Sequence, residues 1–185
     1  MKPSSLASKA LLVFMKDVRS EARTRYGVGS IALFAVTSLV VASFAVSPYA
    51  LEPDAQSAFL WVVLFFSSMS GLSRSFVKEE ETRTSVALRM SAEPLAVFFG
   101  KLMFNLALMA GVEIVVVPMF LLFMDISPAT PSLFFASVAL GTVFISAATT
   151  IVAAIISKAN SKGALFAVLS FPVTMPGLIM AVRMT

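Results

Sequence analysis

The chain has 185 residues, 58% of them hydrophobic and only 13% charged, with a formal net charge of +4. A soluble domain carries roughly a quarter charged residues, so this surface has too few charges for water. A bilayer crossing needs about 20 mostly apolar residues, which leaves room for several spans with short loops and none for a large soluble domain. There is no Cys and no His, which excludes disulfides, thiolate metal sites, an imidazole general base and His-ligated haem.

The first segment, Leu6 to Arg25, repeats Leu11, Phe14, Met15, Val18 and Ala22 at spacings of three and four, with Lys9, Lys16, Arg19 and Arg23 on another face. That pattern predicts an amphipathic helix at the membrane interface, its cations toward lipid headgroups. The alternative is a solvated leader that only carries topology charges. A cleaved signal peptide is not expected, because the first long apolar run starts near Tyr26 behind mixed charge and lacks a small-residue cleavage site.

Five apolar stretches follow, at about 28–49, 58–76, 102–124, 132–157 and 163–182, joined by short gaps except for 77–101. Period-2 alternation is absent, so the expected fold is all-α: one polytopic transmembrane helix bundle over residues 1–185. Basic residues set its orientation. Lys2, Lys9, Lys16, Arg19, Arg23 and Arg25 precede the first span, Arg74, Lys78, Arg83, Arg89 and Lys101 lie around the second loop, and Lys158 and Lys162 lie in the fourth. The first loop holds only Glu52 and Asp54, and the third only Asp125. All basic loops thus fall on one side, which predicts a cytoplasmic N-terminus. Five spans put the C-terminus outside, and Arg183-Met184-Thr185 ends so close to the fifth span that further sequence is expected beyond it.

Within the third span, Glu113 stands at mid-membrane, where an ionised carboxylate costs on the order of 3 kcal/mol, so it should be protonated, hydrogen-bonded or turned inward. It is either a relay or substrate-contact residue, or a structural side chain bonded to a neighbouring helix through Thr142, Ser146 or Thr149. Pro118 is expected to kink this span, and Pro172, Pro176 and Gly177 to break up the fifth. Ser67, Gly71 and Ser75, and Ser137 with Gly141, form small-residue stripes suited to close helix packing. The eleven Met residues read as packing filler.

The loop 77–101 combines a charged turn, Lys78-Glu79-Glu80-Glu81-Thr82-Arg83, with the apolar Val86, Leu88 and Met90. Ser91 is a candidate cap for a helix with Pro94 in its first turn, running through Lys101 into the third span. Such a loop could dock into a partner protein or lie on the bilayer. Gly100-Lys101 is not a phosphate loop, since Leu95 stands where the leading Gly belongs. With neither a nucleotide motif, a catalytic triad nor a metal cluster, the chain is not expected to be an enzyme. Any ATP is hydrolysed by another chain.

Three stretches carry a family resemblance. The first is Phe14-Met15-Lys16-Asp17-Val18-Arg19-Ser20-Glu21-Ala22-Arg23. The second is Phe66-Ser67-Ser68-Met69-Ser70-Gly71-Leu72-Ser73-Arg74-Ser75-Phe76 with Glu79-Glu80-Glu81. The third is Gly100-Lys101 with Asn105, Glu113 and Pro118. Together with the helix plan they resemble CcmB (haem exporter protein B), the membrane subunits of cytochrome c maturation, over essentially the whole chain. The resemblance implies an ABC-2-type permease of the bacterial inner membrane, usually with six spans, present as two permease subunits or copies. It implies the ATPase CcmA as partner, with CcmC, CcmD and the haem chaperone CcmE beside it. Haem is then an indirect substrate, no cofactor is bound by the chain itself, and nucleic acid is no partner. It also implies an ATPase-coupling loop, to which Glu79, Glu80, Glu81, Arg83, Leu88 and Met90 are assigned. An ABC-2 permease for a lipid, polysaccharide or drug shares the helix plan; a membrane enzyme using Glu113 lacks a second catalytic group at that depth.

Overall fold

In hydrocarbon a helix satisfies its own backbone hydrogen bonds, and every described element of this chain is an α-helix. The computed structural model describes residues 5–24, 26–45, 52–72, 93–156 and 162–185. The helices are α1 (Leu6–Thr24), α2 (Tyr26–Ala45), α3 (Pro53–Leu72), α4 (Pro94–Phe123), α5 (Pro131–Ile156) and α6 (Lys162–Met184). Three contain stretches long and apolar enough to cross a membrane: Val28–Ala45 in α2, and all of α4 and α5. A shorter apolar run, Val168–Met184, lies in α6.

Local chemistry sets the helix ends. Glu52-Pro53, Glu93-Pro94 and Thr130-Pro131 each place proline at the first helical position, where the missing N–H costs nothing. The cap of α4 is therefore Glu93 and not Ser91, and the Glu93 side chain makes no capping bond. At its other end α4 closes on Asp125, whose φ of 50° puts it in the left-handed region. The Ile126 N–H then reaches back to the Leu121 carbonyl at 3.0 Å, the six-to-one bond of a Schellman motif. Neither Pro118 nor the Pro172 and Pro176 pair ends a helix: α4 and α6 run on through them.

Tertiary packing makes α3 the inner helix, in contact with α2, α4, α5 and α6, while α1 packs mainly on α4. Buried side chains of α3 include Leu60, Trp61, Leu64 and Phe65. By contrast α2 buries only the stripe Ile31, Ala35 and Leu39, and leaves Leu33, Val41 and Phe44 exposed, Phe44 at 88%. Ile114 and Leu122 on α4, each 75% exposed, complete an apolar outer surface that matches lipid and not water.

Glycines let large side chains into the helix contacts. A Cβ on Gly141 would collide with the Trp61 ring, one on Gly177 with the Phe144 ring, and one on Gly100 would meet the Val13 Cβ at 2.6 Å. The Ser137–Gly141 stripe thus receives an indole from α3, not a bare helix backbone. Gly111 meets nothing within 4 Å. Because Trp61 is fully buried and cannot retreat, Gly141→Ala should cost about 1–3 kcal/mol of overpacking. Gly111→Ala should leave stability equal or higher, since alanine favours helix by about 1 kcal/mol. Thermal unfolding in detergent, followed by fluorescence of the single Trp, checks both.

Candidate functional site

Polar side chains in so apolar a bundle gather in two places. The first joins α1 to the start of α4. Lys101 on α4 is fully buried, and its ammonium faces the Asp17 carboxylate of α1 at 3.4 Å. At the exposed end of the same contact Lys9 meets Glu93 at 2.8 Å. Between the two bridges α1 crosses Gly100 with Ala10 and Val13 buried against it. Lys9 precedes Asp17 as Glu93 precedes Lys101, so α1 runs parallel to the first turns of α4. The hydrogen bond from Lys9, and then its charge, hold Glu93 below the usual carboxylate range. A carboxylate lowered in this way contributes stability above its unfolded value and loses it as pH falls through the lowered one. The α1–α4 contact should therefore loosen on acidification.

At the far end of α1, Glu21 accepts the Val28 backbone N–H at 2.9 Å, so a carboxylate sits at the positive end of the α2 dipole. The outward side of α1 keeps Leu11, Leu12 and Met15 exposed. Of the stripe seen in the sequence, Leu11 and Met15 thus remain outside, whereas the face against α4 is Ala10, Val13 and Asp17.

The second polar group lies between α4 and α5, which run antiparallel. Asn105 Nδ2 donates to Thr150 Oγ1 at 2.8 Å, and the Thr142 hydroxyl donates to the Glu113 carboxylate. Of the three partners considered for Glu113, Thr142 is the one that holds it. Thr149 and Thr150 donate to carbonyls one turn back on α5, and the Thr142 hydroxyl also lies 2.8 Å from the Val138 carbonyl, an alternative acceptor for its single proton. Asn105 Oδ1 and Ser146 Oγ are buried without a protein partner, as is Ser170 Oγ on α6. Near the other end of the bundle, Trp61 Nε1 donates to Thr185 Oγ1 at 2.9 Å. That oxygen lies 3.1 Å from Ser137 Oγ, tying α3, α5 and α6.

Glu79, Glu80, Glu81, Arg83, Leu88 and Met90 lie outside the described residues, as does Ser75, and Gly71 is described only as helical backbone. Among the described residues no cluster of three or more acidic side chains could hold a metal ion. The Asp17–Lys101 and Asn105–Thr150 contacts were not foreseen from the sequence. Asp17, Lys101 and Asn105 did belong to the stretches that carried the family resemblance, the one signal that pointed toward them. Removing one partner of a buried ion pair costs about 3–5 kcal/mol. Asp17→Ala should thus destabilise the protein far more than Lys16→Ala, whose ammonium is exposed, and should expose α1 to protease first. Thermal unfolding and limited proteolysis of the two variants test this.

A family model described as CcmB protein matches residues 8–185. No curated protein and no solved structure matches the chain. Nearly the full length is matched, the helices are apolar on their outer faces, and the chain accordingly belongs to the CcmB family of haem exporter subunits in cytochrome c maturation.

Proposed function

We propose that the chain is the permease subunit of an ABC-type complex of the bacterial inner membrane, coupling ATP hydrolysis by a partner ATPase to haem delivery or to release of a haem-loaded chaperone. The match to the CcmB family over residues 8–185 carries this reading. The chain contributes no nucleotide site; CcmA supplies ATP hydrolysis, CcmC, CcmD and CcmE are its neighbours, and two permease subunits or copies complete the complex. Haem remains an indirect substrate. Five spans cross the membrane, α2 to α6, with α1 as an amphipathic helix at the cytoplasmic interface. The length of α4 favours this placement: 30 residues span about 45 Å, half as long again as the hydrocarbon core. Its first turns therefore reach the interface, where α1 joins them.

Force from the ATPase enters through the loop from Lys78 to Met90, within the coupling segment 77–101. Leu88 and Met90 supply apolar anchors, and Glu79, Glu80, Glu81 and Arg83 set the electrostatic fit. The loop leads directly into Glu93, which Lys9 ties to α1, so a push on the loop reaches α1 and α4 together. Glu113 serves as a structural carboxyl held by Thr142.

Two experiments test the reading. Because the chain has no native Cys, single cysteines report topology. Cysteine placed at Asp54 or Pro128 should label in intact cells, and cysteine at Glu80 or Ser161 only after permeabilisation; the reverse pattern removes the orientation. In membranes containing the whole system, pull-down of the chain should bring CcmA and CcmC with it. The double reversal Glu80→Lys with Glu81→Lys should lower the CcmA captured about tenfold at equal chain and normal insertion. Equal capture would place the docking surface elsewhere.

A further inference from the structure

Helix α1 carries Lys9, Lys16, Arg19 and Arg23 beside Asp17 and Glu21, and the tertiary structure separates the two signs. Asp17 faces the buried Lys101 of α4, and Glu21 accepts the Val28 N–H. Both carboxylates thus belong to the inner face, with Ala10 and Val13. At 3.6 residues per turn the rest of α1 resolves into two neighbouring stripes. Leu11, Met15, Val18 and Ala22 form an apolar one, half-buried at Val18 and exposed at the other three. Leu12, Lys16, Arg19 and Arg23 form the next, and all four are exposed. Its charges are all positive, although Lys16 also reaches Asp17 Oδ1 at 3.0 Å. A helix with one face on protein, one apolar and one cationic matches a bilayer surface better than open water. The depth agrees. Residues 102–123 of α4 hold one charged side chain, Glu113, at their centre. Lys101 stands twelve residues before it, about 18 Å along the helix, whereas half a hydrocarbon core is about 15 Å. Asp17, paired with Lys101, and the cations within two turns of it therefore lie at the level of lipid phosphates.

We propose that the stripe of Lys16, Arg19 and Arg23 is a binding site for anionic phospholipid. Its cations take the headgroup phosphate, while Leu11, Met15 and Val18 lie against the acyl chains beside it. The inference rests on the proposed membrane placement of the bundle, whose orientation the cysteine labelling tests by itself. Charge balance selects the lipid class. Lys9 and Glu93 cancel each other, and among the described residues Lys16, Arg19, Arg23 and Lys101 stand against Asp17 and Glu21, a net charge of +2 at this level. Arginine binds phosphate through paired N–H donors, and a zwitterionic headgroup offsets that attraction with its own cation. Each cation at an anionic surface is worth about fivefold in affinity.

The chain has no native Cys, so a donor dye on Ala22→Cys reports the lipid beside this stripe. The labelled protein is reconstituted in phosphatidylcholine vesicles with a minor fraction of phosphatidylglycerol or of further phosphatidylcholine, each bearing the same acceptor on an acyl chain. Energy transfer should show phosphatidylglycerol enriched over phosphatidylcholine. That preference should fall about fivefold with Arg19→Gln, vanish with Arg23→Gln added, and collapse in high salt. Arg183→Gln removes an exposed cation from the last turn of α6 and should leave the preference unchanged. Arg19 and Arg23 are exposed, so their variants keep the Asp17–Lys101 pair, and thermal unfolding in pure phosphatidylcholine checks that they are folded. The salt series on the otherwise unaltered protein keeps the proposal falsifiable where a variant is not. Equal transfer to both lipids, or a preference that survives high salt or the double variant, overturns the lipid site and leaves the stripe to a protein partner. With the expected cysteine labelling, such a result leaves the proposed function standing.

Discussion

A charge carried into an apolar bundle must take its counter-charge with it, and in this protein the buried ammonium of Lys101 imposes that condition on the whole N-terminal half. Its carboxylate, Asp17, comes from a helix 84 residues away along the chain. To bring the two together α1 must lie along the start of α4, and Gly100 is the residue that lets it come close enough. The corner between α1 and α2, closed by Glu21 on the first turn of α2, then fixes where the first apolar helix enters the bundle. An attraction between two opposite charges thus orders three helices. Replacing either charge alone would undo that arrangement more than it would remove a contact.

The remaining architecture follows from a different force. Lipid is as apolar as leucine, so burial from water does not drive helix against helix inside a bilayer; close fit and hydrogen bonds do. The bundle uses both. Trp61 and Phe144 enter recesses left by Gly141 and Gly177, while Phe59 stacks on Phe120 with ring centres 6.4 Å apart and Phe65 meets Phe171 edge-on at 6.0 Å. Hydroxyls of Ser67, Thr149 and Thr174 bond carbonyls on their own helix one turn back, which hides them without a partner helix. Asn105 and Glu113 commit α4 to α5 by side-chain hydrogen bonds.

The two polar centres have a mechanical consequence for the helices that they join. The clamp between α1 and α4 lies at the first turns of α4, from Glu93 to Lys101, and the α4–α5 seam begins one turn beyond it, at Asn105. Any displacement of the start of α4 is therefore shared by α1 through charge and by α5 through the Asn105–Thr150 bond. The start of α4 is thus braced on two sides, by charge toward α1 and by a hydrogen bond toward α5.

Much of this was legible in the residues alone. The helices, their approximate ends and the membrane class follow from unbroken apolar runs, because a lipid-facing helix is apolar all round and leaves a strong one-dimensional signal. The isolation of Glu113 and its hydroxyl partner on α5 were also legible, since so few polar residues were available at that depth. What could not be read were the contacts between distant helices. Lys101 reads as a loop charge because periodicity reports a residue's own helix and says nothing of Asp17 across the fold. Gly141 reads as a place for close helix packing, and the tertiary structure supplies the side chain that packs there, Trp61. The sequence by itself determined which segments must be helices in lipid, because backbone hydrogen bonds there have no other partner. Only the tertiary structure decided which polar groups meet, because interhelical pairing depends on rotation and register that a local pattern does not encode.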